Sequence, residues 1–139
     1  MEKIKNISEI EVEFYDLDPM NVVWHGNYVK YLEKARCDLL EKIGYTYDDM
    51  RADNVMYPVA TVELKYIKSA FFKEKLEIEA ILEEYQPAMV IKYKIFDKET
   101  KELLCKAKTL QMCVNLLTKE SLYKTPETFV RKIEEYKEE

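Results

Sequence analysis

Gly26-Asn27-Tyr28-Val29-Lys30-Tyr31-Leu32-Glu33-Lys34-Ala35-Arg36-Cys37-Asp38-Leu39-Leu40-Glu41-Lys42-Ile43-Gly44 is the stretch on which the fold turns. Tyr28, Leu32, Ala35, Leu39 and Ile43 recur at spacings of three and four, which puts them on one face of a helix. Gly44 is a stop signal, because helix ends favour a residue that accepts a left-handed backbone. The spacing predicts a single long helix from about Gly26 to Ile43. Its apolar face needs a broad surface to cover it.

The flanking segments supply that surface as strands. Glu9 to Tyr15 alternates, with Ile10, Val12 and Phe14 on one face, and Asp16 to Asn21 then breaks it with turn-forming Asp, Asn and Pro. Beyond the helix, Thr46 to Asn54 suits a helical turn. Tyr57 to Ile67 reads as a strand, with Val62, Leu64 and Tyr66 set against Glu63 and Lys65. Leu76, Ile78, Ala80 and Leu82 alternate with Glu77, Glu79, Ile81 and Glu83, the pattern of a half-buried antiparallel strand. Met89 to Phe96 and Leu103 to Leu116 follow, the latter with Leu104, Leu110, Met112, Val114 and Leu116 in phase. Thr125-Pro126 opens a closing helix, since proline suits a first helical turn. Strands joined by short turns around one long helix imply an α+β fold, a curved antiparallel sheet wrapped around that helix.

Length and charge narrow the function. The 139 residues read as one domain, 1–139, with 47% apolar and 35% charged side chains, a balance that folds. No apolar stretch reaches the ~20 residues of a membrane span. The charged start, Met1-Glu2-Lys3, lacks the apolar core of a secretory signal, so a cytoplasmic protein is expected. A net charge of −5 with no basic stripe argues against a nucleic-acid partner. Cys37, Cys105 and Cys113 form no CxxC pair and His25 is the sole histidine, so neither a disulfide framework nor a Cys/His metal site is expected.

Chemistry concentrates between the first strand and the helix, from Tyr15 to Tyr28. Two acids, the sole histidine, the sole tryptophan and a glycine lie together there. A helix start offers unpaired N–H groups and the positive end of a dipole, which suit a developing oxyanion, and an acid a few residues upstream can reach over it. Asp16 and Asp18 equally suit turn or capping roles, His25 a structural hydrogen bond, and Trp24 packing. Residue patterns alone leave these alternatives open.

Tyr15-Asp16-Leu17-Asp18-Pro19, Val22-Val23-Trp24-His25-Gly26-Asn27-Tyr28 and Tyr31-Leu32-Glu33-Lys34-Ala35-Arg36 together resemble the active-site signature of hotdog-fold acyl-CoA thioesterases. The nearest groups are the 4-hydroxybenzoyl-CoA thioesterase family and the bacterial thioesterases of the Tol–Pal cluster. The resemblance implies a hotdog fold and hydrolysis of an acyl-CoA or acyl-carrier thioester to a carboxylic acid and free thiol. It implies no cofactor, coenzyme A being part of the substrate, and a homodimer or homotetramer paired through a continuous sheet. Asp18 takes the place of the catalytic carboxylate, as nucleophile or general base. The His25 N–H takes that of the oxyanion donor, with Val23, Trp24, Gly26 and Tyr28 around the substrate. Asp16 matches a less central acid, while Tyr28, Glu33 and Arg36 hold helix and site in place.

The chain departs from that pattern twice. Asn21 stands where many members have glycine, and Asn tolerates positive φ. No basic residue occupies Tyr85-Gln86-Pro87-Ala88, where the 4-hydroxybenzoyl branch grips the coenzyme A nucleotide, which leaves Lys65, Lys68, Lys73 or Lys75 for phosphates. Coenzyme A and an acyl carrier protein therefore both stand as carriers. The rivals are a 3-hydroxyacyl thioester dehydratase and a non-hydrolytic acyl-thioester-binding hotdog protein. Tyr57, Tyr66, Phe71, Phe72 and Met89 are candidate acyl-pocket residues, or core.

Overall fold

The predicted helix forms as α1, Asn27–Ile43, in a computed structural model that describes residues 3–138. Tyr28, Leu32, Ala35, Leu39 and Ile43 are all buried on it. Gly44 closes it at φ 94° and donates its N–H to the Leu40 and Glu41 carbonyls, so the left-handed cap satisfies the last turn.

The sheet that receives this face has the order β1-β4-β5-β6-β3. Its strands are β1 Lys5–Glu11, β3 Val59–Tyr66, β4 Lys75–Glu84, β5 Ala88–Asp97 and β6 Leu103–Met112, each antiparallel to its neighbours. Leu76, Ile78 and Ala80 of β4 and Ile91, Tyr93 and Ile95 of β5 face the helix and are fully or almost fully buried. A short helix α2, Tyr47–Ala52, opens on a Thr46–Asp49 capping box and leads into β2, Val55–Met56, which pairs with β7, Val114–Asn115. Helix α3, Glu127–Glu138, closes one end, where Phe129 stacks on Tyr45 at 4.6 Å. The expected α+β architecture is the observed one.

Three strands differ in detail from the sequence reading. The first strand runs Lys5–Glu11 rather than Glu9 to Tyr15, and Phe14 to Asp16 instead form a 3₁₀ turn that leaves Phe14 exposed. The inward residue Ser8, bonded to Asp38 at 2.6 Å, breaks the apolar alternation that would have marked the true strand. Strand β3 is exposed along nearly its whole length, with Leu64 half-buried, because it is an edge strand reaching past the helix. In β6 the inward residues near its end are Thr109 and Gln111, opposite in phase to the expected Leu110 and Met112. Each makes a bond inside: Thr109 bonds the Tyr93 hydroxyl at 2.9 Å, and Gln111 donates to the Tyr57 carbonyl at 2.7 Å, while the Gln111 Oε1 has no partner among the described residues. Among the cysteines, all free, Cys105 and Cys113 are buried and Cys37 is half-buried.

The turn before β4 props the loop that follows β1. Val12 donates to the Glu74 carbonyl at 3.0 Å, Lys73 returns a bond to Val12, and Val23 donates to the Ala70 carbonyl at 2.9 Å. Glu74 accepts the Phe71 N–H at 2.9 Å within this turn. Burial, then its hydrogen bond with Asp97, pushes the Glu74 carboxyl up, while that bond holds the Asp97 carboxyl down. Folded Glu74 thus keeps its proton to higher pH than the unfolded chain, so its contribution to stability is lost as pH rises through its raised value. Asp97 acts in the opposite sense, its contribution being lost as pH falls through its lowered value. Thermal melts across pH should show a maximum between these two limits, and Glu74→Gln should abolish the decline on the upper side alone.

Candidate active site

The loop between β1 and α1 is held by Asp16. This buried carboxylate accepts the Glu13 N–H and the Tyr31 hydroxyl, both at 3.0 Å on Oδ2. Its backbone carbonyl accepts the Trp24 N–H at 2.9 Å and the Asn27 side-chain amide at 2.8 Å. Burial and then the bond to Asp16 push the Tyr31 phenol above its ordinary range, so the hydroxyl stays a donor. Asp16 is therefore the residue that ties the loop to the helix, a structural part for the acid that the sequence left between turn, cap and site.

Asp18 has a different environment. Its backbone closes a small hairpin, with Asp18 N–H to the Val22 carbonyl at 2.8 Å and Asn21 N–H to the Asp18 carbonyl at 3.0 Å. Asn21 sits at φ 65°, the left-handed conformation that asparagine tolerates, so the turn survives without glycine. One carboxylate oxygen of Asp18, Oδ1, accepts the Met20 N–H at 2.8 Å. The other, Oδ2, has no hydrogen-bond partner among the described residues, and the side chain is only half-buried. The carboxylate is oriented by one bond and open at the other oxygen.

The helix start follows the same hairpin, whose arms pair Leu17 with Val23 and Asp16 with Trp24. Asn27, Tyr28 and Val29 spend their N–H groups on the Trp24, His25 and Gly26 carbonyls. The backbone N–H groups of His25 and Gly26 find no acceptor among the described residues. His25 is held from behind, its carbonyl accepting the Tyr66 hydroxyl of β3 at 3.0 Å, and its ring lies between Trp24 (5.2 Å) and Tyr66 (6.3 Å between centroids). No carboxylate among the described residues bonds the imidazole. Tyr28 is buried with its hydroxyl accepting the Ala70 N–H at 3.2 Å, and burial raises its pKa.

One loop thus carries Asp18 and Gly26 half-buried and Trp24 and His25 exposed, with Val23 and Tyr28 buried. Of the candidate acyl-pocket residues, Tyr66, Phe71 and Phe72 are exposed near the loop, whereas Tyr57 and Met89 belong to the core. Arg36 is buried and paired with Glu33, consistent with a helix-holding role. Of the lysines considered for phosphates, Lys68 is paired with Glu102, Lys73 lies over the Phe72 ring, and Lys65 lines the outer face of the sheet, opposite in alternation to Tyr66. Among the described residues no group of acids, histidine and cysteines could hold a metal ion, and no helix is long and apolar enough to cross a membrane.

Gly26 makes room for the Trp24 ring. A Cβ at position 26 would lie 2.3 Å from the indole, closer than any real contact. Gly26→Ala should leave the fold intact, because the half-exposed ring can swing away, but should shift its fluorescence maximum and lower activity. Tyr31→Phe should cost about 1–2 kcal/mol in denaturant melts by removing a donor from a buried carboxylate. A melt unchanged by that substitution would show that Asp16 does not depend on the helix.

Residues 12–133 match the family model described as "Thioesterase-like superfamily". A Bacillus subtilis protein provisionally named acyl-CoA thioesterase YneP is 32% identical over 108 residues, covering 77% of this chain and 78% of its own. The acyl-CoA thioester hydrolase YbgC of Escherichia coli is 28% identical over 109 residues, 78% of this chain and 81% of that one. Among solved structures, the DHNA-CoA thioesterase from Staphylococcus aureus superposes with a TM-score of 0.84 at 31% identity, over 96% of this chain and 89% of that one. With a helix wrapped by an antiparallel sheet, and a family match across nearly its whole length, the chain belongs to the thioesterase-like superfamily and has the hotdog fold.

Proposed function

We propose that this protein hydrolyses an acyl-CoA thioester to a carboxylic acid and free coenzyme A. The observation that carries the reading is that one loop holds both an oriented, half-open carboxylate and two unspent N–H groups at a helix start. Relatives with names of acyl-CoA thioesterases and thioester hydrolases support it.

In this reading the thioester carbonyl oxygen lies against the His25 and Gly26 N–H groups, where the helix dipole also favours negative charge. Asp18 Oδ2 takes a proton from water as the water oxygen attacks the carbonyl carbon, or attacks that carbon itself, giving an anhydride that water then opens. The oxyanion collapses, the carbon–sulfur bond breaks, and the thiolate leaves without needing a strong acid. No step calls for a cofactor. The His25 side chain flanks the carbonyl between Trp24 and Tyr66, and its lack of a carboxylate partner favours hydrolysis over a dehydratase, whose chemistry needs a paired acid and base.

The reading includes a homo-oligomer. Strand β3 ends the sheet with unpaired backbone on one side and exposes Val59, Val62 and Tyr66, an edge that natural proteins cover. Pairing β3 with its counterpart in a second copy would cover it beside the loop.

The test is thiol release from short, long and aromatic acyl-CoA thioesters, wild type against Asp18→Asn. The thiol-reagent background comes chiefly from Cys37, since Cys113 is buried and burial holds the Cys105 thiol up at about 11. Asp18→Asn should fold as wild type by circular dichroism and turn over roughly 100-fold or more slowly. Full activity in the variant would remove Asp18 from the mechanism.

A further inference from the structure

The outer face of the sheet, turned away from α1, gathers lysines that the linear sequence keeps apart. In the register, Lys92 of β5 lies directly opposite Lys108 of β6, Lys94 opposite Lys106, and Lys106 opposite Lys65 of β3. Like charges set directly opposite each other destabilise a sheet, so three such pairings carry a cost that folding alone does not explain. All five side chains are exposed and line one cleft of about 550 Å³.

Elsewhere Lys3, Lys34, Lys68, Lys98 and Lys101 each meet a carboxylate. On the outer face only Lys92 does, at 3.8 Å from Glu83, while Lys65, Lys94, Lys106 and Lys108 have no carboxylate partner among the described residues. This happens in a protein of net charge −5. Five lysines against Glu63, Glu79 and Glu83 leave the cleft locally positive, and so complementary to an anionic partner.

The pattern also selects the kind of anion. Glu63 stands opposite Lys108 and Glu79 opposite Lys94, over a floor that includes Leu64, Ile81 and Ala107. A nucleic-acid backbone or an anionic membrane would meet these carboxylates as repulsion, whereas a protein surface can set acids over the lysines and spare the glutamates. The face also adjoins the candidate site: Lys65 lies on it, and the next residue, Tyr66, points to the other side and bonds the His25 carbonyl.

We propose that the outer sheet face docks an acidic carrier protein that presents the acyl thioester on a flexible arm to the Asp18 loop. This rests on the thioesterase reading and adds a protein-borne substrate to it. Docking on one face of β3 while the arm rounds the strand end converts thioester capture into a local encounter, raising its effective concentration.

The experiment compares kcat/KM for one acyl group carried on coenzyme A and on an acidic acyl carrier protein. The proteins are wild type, Lys94→Glu/Lys106→Glu and Lys94→Gln/Lys106→Gln, the last relieving like-charge repulsion and so safe for folding. The charge reversal should lower kcat/KM on the carrier about tenfold and leave coenzyme A turnover unchanged, with the glutamine pair between, and added salt should weaken only the carrier reaction. Equal carrier turnover in all three proteins, or wild-type hydrolysis of acyl-CoA with none of the carrier substrate, would overturn the docking face and leave the thioesterase reading standing. Absence of turnover on both carriers would instead sink the thioesterase reading. Docking would then be judged by titrating the carrier into ¹⁵N-labelled protein, where shifts confined to β3, β5 and β6 support it and their absence overturns it. Co-sedimentation with phosphatidylserine vesicles that the reversal abolishes would assign the face to lipid and overturn the carrier.

Discussion

A buried carboxylate that gathers a backbone N–H and a phenol is the constraint on which the loop and the helix start depend. Asp16 takes a backbone N–H from Glu13 and the phenol of Tyr31 on its side chain, and Trp24 and Asn27 on its carbonyl. Removing a carboxylate from water is costly unless such donors replace the water, so the five residues have few other ways to sit. Helix α1 is held on the sheet by its apolar face, but that face does not decide where the preceding loop lies. Asp16 does. Two residues on, Asp18 is half-buried and takes a single bond, from the Met20 N–H. One loop thus holds one aspartate buried as an anchor and leaves the other partly open to solvent.

The helix was legible in the sequence because a period of three and four survives whatever packs against it. The strands were less so. Ser8 puts a polar side chain, bonded to Asp38, in phase with Ile10 and Val12, while Thr109 and Gln111 turn inward toward Tyr93 and the Tyr57 carbonyl and invert the expected alternation, each through a tertiary bond that no window of sequence contains. The family signature singled out this loop, yet the difference between Asp16 and Asp18 depends on Tyr31, a helical turn beyond the loop, pointing back. The sequence shows no basic stripe either. The outer face becomes basic only when antiparallel register stacks lysines from β3, β5 and β6 side by side.

Strand β3 belongs to both surfaces. Its alternation sends Tyr66 to the loop and Lys65 to the outer face, so one short segment links the group that holds the His25 carbonyl to the cleft behind it. Being an edge strand, it leaves one side of its backbone unpaired. Whatever covers β3 can act on the loop through Tyr66, by its hydroxyl and by its ring against His25 and Tyr28.

The placement of Trp24 has a spectroscopic consequence. It is the only tryptophan in the chain, it is 49% exposed, and it rests against Gly26 with the His25 ring 5.2 Å away. Light absorbed selectively by indole therefore reports on a few ångströms around the helix start and on almost nothing else. The protein carries, without any label, an optical gauge of its own loop, whose colour follows the polarity there and whose quenching follows the neighbouring imidazole.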